Sequence, residues 1–341
     1  MRIHTSVTVG VLASLLLSAC GEEQGIDQEP EEQNQEETEN LDTNEENTAN
    51  EGIKVEDATG EKELEEVPET IVVLEWVYAE DLLALDVQPA GVADIEGYND
   101  WVNIEPELSE DTVDVGTRQE PSLEEIAQLE PDLIITAASR HEGISDELNN
   151  IAPTLLFEPY PEEGEGDQYE EMETTFKEIA TAVDREDQAE EVLSDLHASY
   201  DELEGLLADD NLTGTEVLLS QAFSANENAT VRLFTDNSMA VQIMEHIGLE
   251  NAFDEETFEV YGFSETGVEN LEPYEDAEFL YIVQEDDNVF ENQLAGNPVW
   301  EELNFVQEDR THALPGDTWT FGGPLAAEVF AEQVVEALTG E

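Results

Sequence analysis

Tyr169 to Ala208 reads YEEMETTFKEIATAVDREDQAEEVLSDLHASYDELEGLLA, and the fold turns on how this stretch is interpreted. Phe176, Ile179, Ala180 and Val183 share one face at helical spacing, and Val192, Leu196, Leu203 and Leu206 punctuate a second helix. The break between them falls near Asp184-Arg185. No strand interrupts this run of about 40 residues, which is unusual inside a single sheet of alternating strands and helices. A helical bridge between two lobes accounts for it.

Both flanks support that reading. Ahead of the bridge, strands are expected at Thr70 to Leu74, Pro89 to Ala93, Thr112 to Val115, Asp132 to Thr136 and Thr154 to Phe157. Helical spacing covers Val77 to Asp86, Ser122 to Leu129 and Ser145 to Asn150. Alternating strands and helices imply a parallel α/β sheet. After the bridge come strands at Glu216 to Ser220, Glu278 to Val283 and His312 to Leu314. Helices are expected at Ser238 to Ile247, at Asn297 to Leu303 and, after Gly322-Gly323-Pro324, at Pro324 to Leu338. The predicted fold class is α/β, with lobes at 68–168 and 209–341, bridging helices at 169–208, and a cleft between the lobes.

The first 67 residues read differently. Arg2, the apolar run Val7 to Leu17 and Leu17-Ser18-Ala19-Cys20 resemble a bacterial lipoprotein signal whose cysteine becomes the lipidated N-terminus. Residues 1–20 are thus a signal peptide, and Cys20 attaches the chain to the membrane without spanning it. Cys20 is the single cysteine, so no intramolecular disulfide can form. Residues 21–67 are rich in Glu, Asn, Gln and Thr with little aliphatic pattern, and read as a disordered acidic tether.

Nine Lys and Arg stand against 88 Asp and Glu, a formal charge of −79. Such a field repels nucleic acid and anionic lipid surfaces, so neither is an expected partner. It also pushes a compact state apart unless salt screens it, so the composition points to a halophilic or haloalkaliphilic source. An acidic calcium buffer is the alternative, but the acids are scattered and no EF-hand-like loop is present. No G-x-S-x-G, H-E-x-x-H, P-loop or dinucleotide glycine pattern occurs, and no enzyme activity is expected. The five histidines show no zinc-ligand spacing.

Cations are scarce, so their positions carry information. After the tether only Arg118, Arg140, Lys177, Arg185, Arg232 and Arg310 remain. Arg118 and Arg140 each follow a predicted strand, at the carboxyl-end crevice where open α/β sheets bind ligands. Arg118 could equally pair with Glu120 or another nearby acid. Arg232 falls in the expected loop after the second lobe's first strand, and is a third binding candidate. Lys177 and Arg185 are accounted for by pairing with acids along the bridging helices, and Arg310 reads as a turn residue.

Several segments together resemble the iron-siderophore substrate-binding proteins of ABC importers, in their ferric-citrate, citrate-hydroxamate and ferric-hydroxamate branch. They include Leu74-Glu75-Trp76 with Ala79 to Leu85, and Gly91-Val92-Ala93-Asp94. Gly116-Thr117-Arg118-Gln119-Glu120-Pro121, Pro131 to Ile135 and Ser139-Arg140-His141 follow. Ile151 to Thr154 and Trp319-Thr320-Phe321-Gly322-Gly323-Pro324 complete the set. The resemblance implies two Rossmann-like lobes joined by a long helix, the class III periplasmic-binding-protein type. It also implies that Arg118, Arg140, His141, Trp319 and Phe321 line a shallow ligand cleft, with Arg232 the further candidate from its position. Glu124 and Glu269, one per lobe, would dock onto an ABC permease that works with its ATPase.

The expected ligand is a ferric siderophore, with no cofactor and no direct protein ligand to the metal, bound by a monomer on the extracellular face of the cytoplasmic membrane. Arginines are missing from the segment after Trp319, which favours a chelate of low negative charge. A haem or cobalamin binder of the same fold stays open, with His141 the axial candidate for haem. An acidic surface protein without a transport role also stays open.

The −79 charge makes one prediction independent of the ligand. The melting temperature in molar NaCl should exceed that in dilute buffer, because screening relieves self-repulsion. A melting temperature that is flat or falls with NaCl would refute it.

Overall fold

The structure is a computed structural model, and it describes residues 52–225, 228–253 and 258–340. The described chain begins with an antiparallel hairpin, β1 (Ile53–Asp57) and β2 (Gly60–Leu64). These residues were expected to lie in the tether, so the ordered fold starts about 15 residues earlier than the composition suggests. The reason is tertiary. Val55 and Leu64 are buried, the Glu56 amide donates to Glu178 on the bridge, and Asp57 accepts from the Leu156 amide. Two buried apolar residues in two charged strands leave little trace in the sequence.

The first lobe is a five-stranded parallel sheet of β3 (Ile71–Val73), β4 (Gly91–Val92), β5 (Val113–Asp114), β6 (Leu133–Ala137) and β7 (Thr154–Phe157). The strands lie in the order β5-β4-β3-β6-β7. β3 and β6 are buried along their whole length, as expected for strands covered by helices on both faces. The connecting helices are α1 (Trp76–Ala84), α2 (Ile95–Trp101), α3 (Leu123–Gln128), α4 (Ala138–His141) and α5 (Ser145–Asn149). α2 and α4 were not anticipated; each is at most two turns long, too short for a periodic signal.

The bridge is α6 (Gln168–Ala182) and α7 (Glu186–Asp209). Asp167 caps α6 by accepting from the Tyr169 and Glu170 amides. Asp184 adopts a left-handed conformation (φ 56°) at the expected break.

The second lobe holds a mixed six-stranded sheet of β8 (Glu216–Ala225), β9 (Asn228–Phe234), β10 (Glu250–Asn251), β11 (Phe263–Thr266), β12 (Glu278–Ile282) and β13 (Thr311–Leu314). β10, β12 and β13 follow the parallel pattern, whereas β9 runs antiparallel to both β8 and β11. Its helices are α8 (Met239–His246), α9 (Val289–Asn292), α10 (Pro298–Glu301), α11 (Asn304–Gln307) and α12 (Pro324–Thr339). The single helix expected over Asn297 to Leu303 is α10, with α11 following it.

The described residues form one compact unit. Its largest core runs without a break from Val55 and Tyr78 through Phe176 and Leu196 to Ile282 and Phe330. It therefore passes from one sheet to the other through the bridge and α12. Smaller clusters back the far face of each lobe.

A buried carboxylate fastens α12 to the first lobe. Glu80 on α1 accepts from the Ala326 amide at 2.7 Å, at the N-terminus of α12 where carboxylates are favoured. A Cβ at Gly322 would lie 2.5 Å from Glu80 Oε2, and one at Gly323 would lie 2.5 Å from Asp81 Oδ1. The glycine pair is what lets the chain pass that close. Burial pushes the Glu80 carboxyl up to about 7, against the pull of the α12 amides, and it raises Asp81 well above its ordinary range.

This carboxyl has a testable pH signature. A group whose folded-state pKa is raised contributes stability fully below its unfolded pKa, and loses it as pH rises through the folded value. For Glu80 that window runs from 4.5 to about 7. The melting-temperature difference between the unaltered protein and Glu80→Gln should therefore shift against the unaltered protein as pH rises through the window. A difference constant across it would show that Glu80 does not titrate there.

Candidate ligand cleft

The carboxyl ends of the first sheet converge on one crevice. Glu75 and Trp76 follow β3, Arg118 follows β5, Arg140 lies in α4 directly after β6, and Tyr160 follows β7. The second lobe faces them with Gln221 and Phe223 of β8, Arg232 of β9, and the segment after β12. Trp319 and Phe321, between β13 and α12, lie in the same wall. The result is an open cavity of about 550 Å³, within the range of small-molecule sites, lined on the first lobe by Trp76, Trp101 and Arg118 but not by Glu75, Arg140 or Tyr160. Arg118, Trp319 and Phe321 also border a pocket of about 40 Å³ beneath it, which Arg140, Tyr160 and Asp81 help to line.

Arg118 does not pair with Glu120. Its Nε and Nη2 donate to Glu75 Oε2 at 2.9 and 2.6 Å, and its guanidinium lies over the Trp76 ring, 4.1 Å from the centroid. Arg140 Nε pairs with the other oxygen of the same carboxylate, Oε1. The Glu75 side chain is only 6% exposed, and both cations close on it from adjacent loops. A guanidinium has five N–H donors, so Arg118 retains hydrogens on Nη1 and Nη2 beyond the two that Glu75 takes.

Arg232 lies on β9 rather than in a loop, because β8 and β9 continue as an antiparallel pair through Ala225↔Asn228. Its guanidinium lies over the rings of Phe223 and Phe263, at 4.8 and 4.3 Å. Nε donates to Glu265 at 3.2 Å and Nη1 to Gln221 at 3.0 Å. The cation thus faces the cavity on an aromatic support, and its acidic partner is 51% exposed.

Aromatic rings join the two walls. Trp76 meets Trp319 at 5.3 Å, Trp319 meets Phe321 at 5.4 Å, and Phe321 meets Phe234 and Phe263, each at 6.1 Å. Edge and tilted contacts of this kind fix ring orientation as well as burying area. Trp101 adds apolar lining expected of a ring after a first-lobe strand, and Phe223 adds lining that the sequence did not single out.

His141 is not brought to the cleft. It is 2% exposed, shares a 2.5 Å hydrogen bond between Nδ1 and Thr136 Oγ1, and lines neither cavity. Burial first, and then the Arg140 charge, bring its imidazole down to about 4, so it is neutral. The Arg-His pair therefore divides, with the arginine toward the ligand side and the histidine inside the lobe. The axial role that a haem reading assigned to His141 has no geometric basis.

Glu124 is exposed in the first turn of α3, and Glu269 is exposed in a single 3-10 turn (Val268–Asn270) of the second lobe. Lys177 pairs with Glu173 one turn away. Arg185 instead donates to the Asp184 carbonyl, and Arg310 clamps the carbonyls of Glu275 and Asp276. Cys20 and the signal sequence lie outside the described residues. Among the described residues no helix is long and apolar enough to cross a membrane.

Sequence and structure comparisons agree with this fold. The Fe(3+)-citrate-binding protein YfmC of Bacillus subtilis is 28% identical over 283 residues, covering 83% of this chain and 84% of the relative. The iron(3+)-hydroxamate-binding protein FhuD of Escherichia coli is 30% identical over 277 residues, covering 80% of this chain and 88% of the relative. The crystal structure of Fe3+-Desferal-bound siderophore-binding protein FhuD from Vibrio cholerae superposes with a TM-score of 0.70 at 28% identity. That match covers 79% of this chain and 97% of the other. The periplasmic binding protein family matches residues 71–318, and this chain, two α/β lobes about a helical bridge, belongs to that family.

Proposed function

We propose that the protein captures a ferric siderophore of hydroxamate or citrate-hydroxamate type outside the cytoplasm and delivers it to an ABC permease driven by its ATPase. One observation carries the reading: Arg118 and Arg232, from opposite lobes, face one cavity of about 550 Å³ whose walls are Trp and Phe rings. Guanidinium donors suit the anionic oxygens around chelated iron, and the rings suit the organic body of the chelate. The iron arrives inside its chelate, so it is cargo and needs no ligand from the protein. The relatives that bind ferric citrate and ferric hydroxamate support this ligand class.

In this reading Cys20 carries the lipid anchor, the protein works as a monomer on the outer face of the cytoplasmic membrane, and the acidic surface reflects a salty habitat. It has no catalytic task and no resident cofactor. Glu124 and Glu269 are the docking contacts, exposed on different lobes.

Two experiments test the proposal. A ferric trihydroxamate should quench the intrinsic fluorescence of the cleft tryptophans at micromolar or lower concentration. Arg232→Ala should weaken that binding by about 1.5–3 kcal/mol, the scale of a hydrogen bond to a charged group. Arg232 is a cleaner probe than Arg118, whose loss would also strip a buried carboxylate of one partner. No quenching by any ferric siderophore, or quenching by haem alone, would defeat the reading.

The double change Glu124→Ala with Glu269→Ala should leave chelate binding in solution nearly intact while iron uptake by cells falls sharply, since rim charges govern docking more than distant affinity. A control pair on α7, Glu190→Ala with Glu204→Ala, should do little. Normal uptake by the docking variant would remove the assignment.

A further inference from the structure

We propose that Glu75 is the residue that sets charge selectivity in the cleft, directing it to ferric chelates without net negative charge. This rests on the ferric-siderophore reading above and adds to it the feature of the chelate that the protein senses.

Glu75 occupies the N-cap position of α1 but makes no side-chain capping bond there. That position normally uses a short polar side chain to satisfy helix amides. Here the longer carboxylate reaches past the helix end and takes Arg118 on one oxygen and Arg140 on the other. Arg118, which lines the cavity, and Arg140, which lines the smaller pocket, therefore carry one compensating charge between them. Arg232 is balanced in the same way by Glu265, and Asp286 and Asp287 stand at the cavity edge. The cavity itself is lined by two guanidinium groups, Arg118 and Arg232, and two carboxylates, Asp286 and Asp287, while Glu75 and Arg140 line the smaller pocket that shares Arg118.

Such a cleft has hydrogen-bond donors without excess positive charge. A chelate whose iron is fully neutralised by hydroxamates can accept from the remaining Nη hydrogens of Arg118 and leave the Glu75 pairs in place. A polyanionic chelate has free carboxylates that compete with Glu75 for the same forks. If it wins them, Glu75 is left buried without a counter-charge, which is strongly unfavourable. If it does not, its own charges lie beside Glu75, Asp286 and Asp287. Either outcome penalises the anionic ligand specifically.

The test is a ratio of two dissociation constants, read by tryptophan fluorescence in molar NaCl so that the field of the whole chain is screened. The probes are an uncharged ferric trihydroxamate and ferric dicitrate. The unaltered protein should favour the trihydroxamate. Glu75→Gln, which keeps the shape and removes the charge, should move the ratio at least tenfold toward ferric dicitrate. Arg140→Gln removes one of the two balancing cations and should move the ratio the other way, so the proposal remains testable even if Glu75→Gln folds poorly. A general loss of packing would weaken both probes together and leave the ratio unchanged. A ratio within twofold of the unaltered value in both variants, or the same direction of change in both, overturns the role of Glu75 while leaving the trihydroxamate site standing. If neither probe binds the unaltered protein, the ferric-siderophore reading falls and this inference falls with it.

Discussion

A carboxylate as enclosed as Glu75 is tolerated inside a protein only when it is met by a partner at close range. Here two guanidinium groups meet it, one on each oxygen. The sheet order makes this possible. β3 is the middle strand of five, so the residues after it can reach the loops that follow β5 on one side and β6 on the other. One strand end thus gathers the cations of two others. Trp76, the next residue, supplies the ring on which Arg118 lies. The first wall of the cleft follows from that pairing.

The second wall is held by a different carboxylate from the same helix. Glu80, one turn beyond Glu75, takes the N-terminus of α12, and Gly322-Gly323 allow the approach. Trp319 and Phe321 immediately precede that anchor, so their rings are positioned by α1 although they belong to the segment leaving β13. The shared core continues the constraint through α6, α7 and α12. Opening the lobes widely would expose apolar surface that both sheets help to bury, which favours a largely preformed cleft over a deep hinge.

Much of this was legible in the sequence, and the gaps have physical causes. Continuous apolar runs such as Leu133-Ile134-Ile135 and the spaced residues of α6 and α7 announce themselves because their burial is one-sided or complete. β9 did not. Its residues Asn228 to Phe234 mix polar and apolar types, and no glycine stands between Ala225 and Asn228 to signal a hairpin in the sequence. Arg232 was therefore assigned to a loop, although its place at the cleft was anticipated. Arg118 and Arg140 stood out because cations are rare in this chain. Glu75 is one acid among 88, and although Leu74-Glu75-Trp76 belongs to a recognisable segment, nothing in it names a cation partner. Its partners lie 43 and 65 positions away, and only the topology brings them together. The sole hint was a glutamate where a helix cap favours shorter side chains.

The contrast between the whole chain and its cleft bears on where selectivity can reside. In dilute buffer a formal charge of −79 acts over many ångströms and disfavours any anionic ligand before it arrives. In molar salt the screening length falls to about 3 Å, comparable to a single hydrogen bond. The long-range field then discriminates little. Pairs at contact distance, shielded from solvent ions by the Trp76 ring and the surrounding loops, keep most of their strength. A protein suited to strong salt must therefore place its charge discrimination in buried, directly bonded groups. Glu75 with Arg118 meets that condition, whereas the exposed pair of Lys54 and Glu61 does not, and Arg140 meets it only on the Glu75 side.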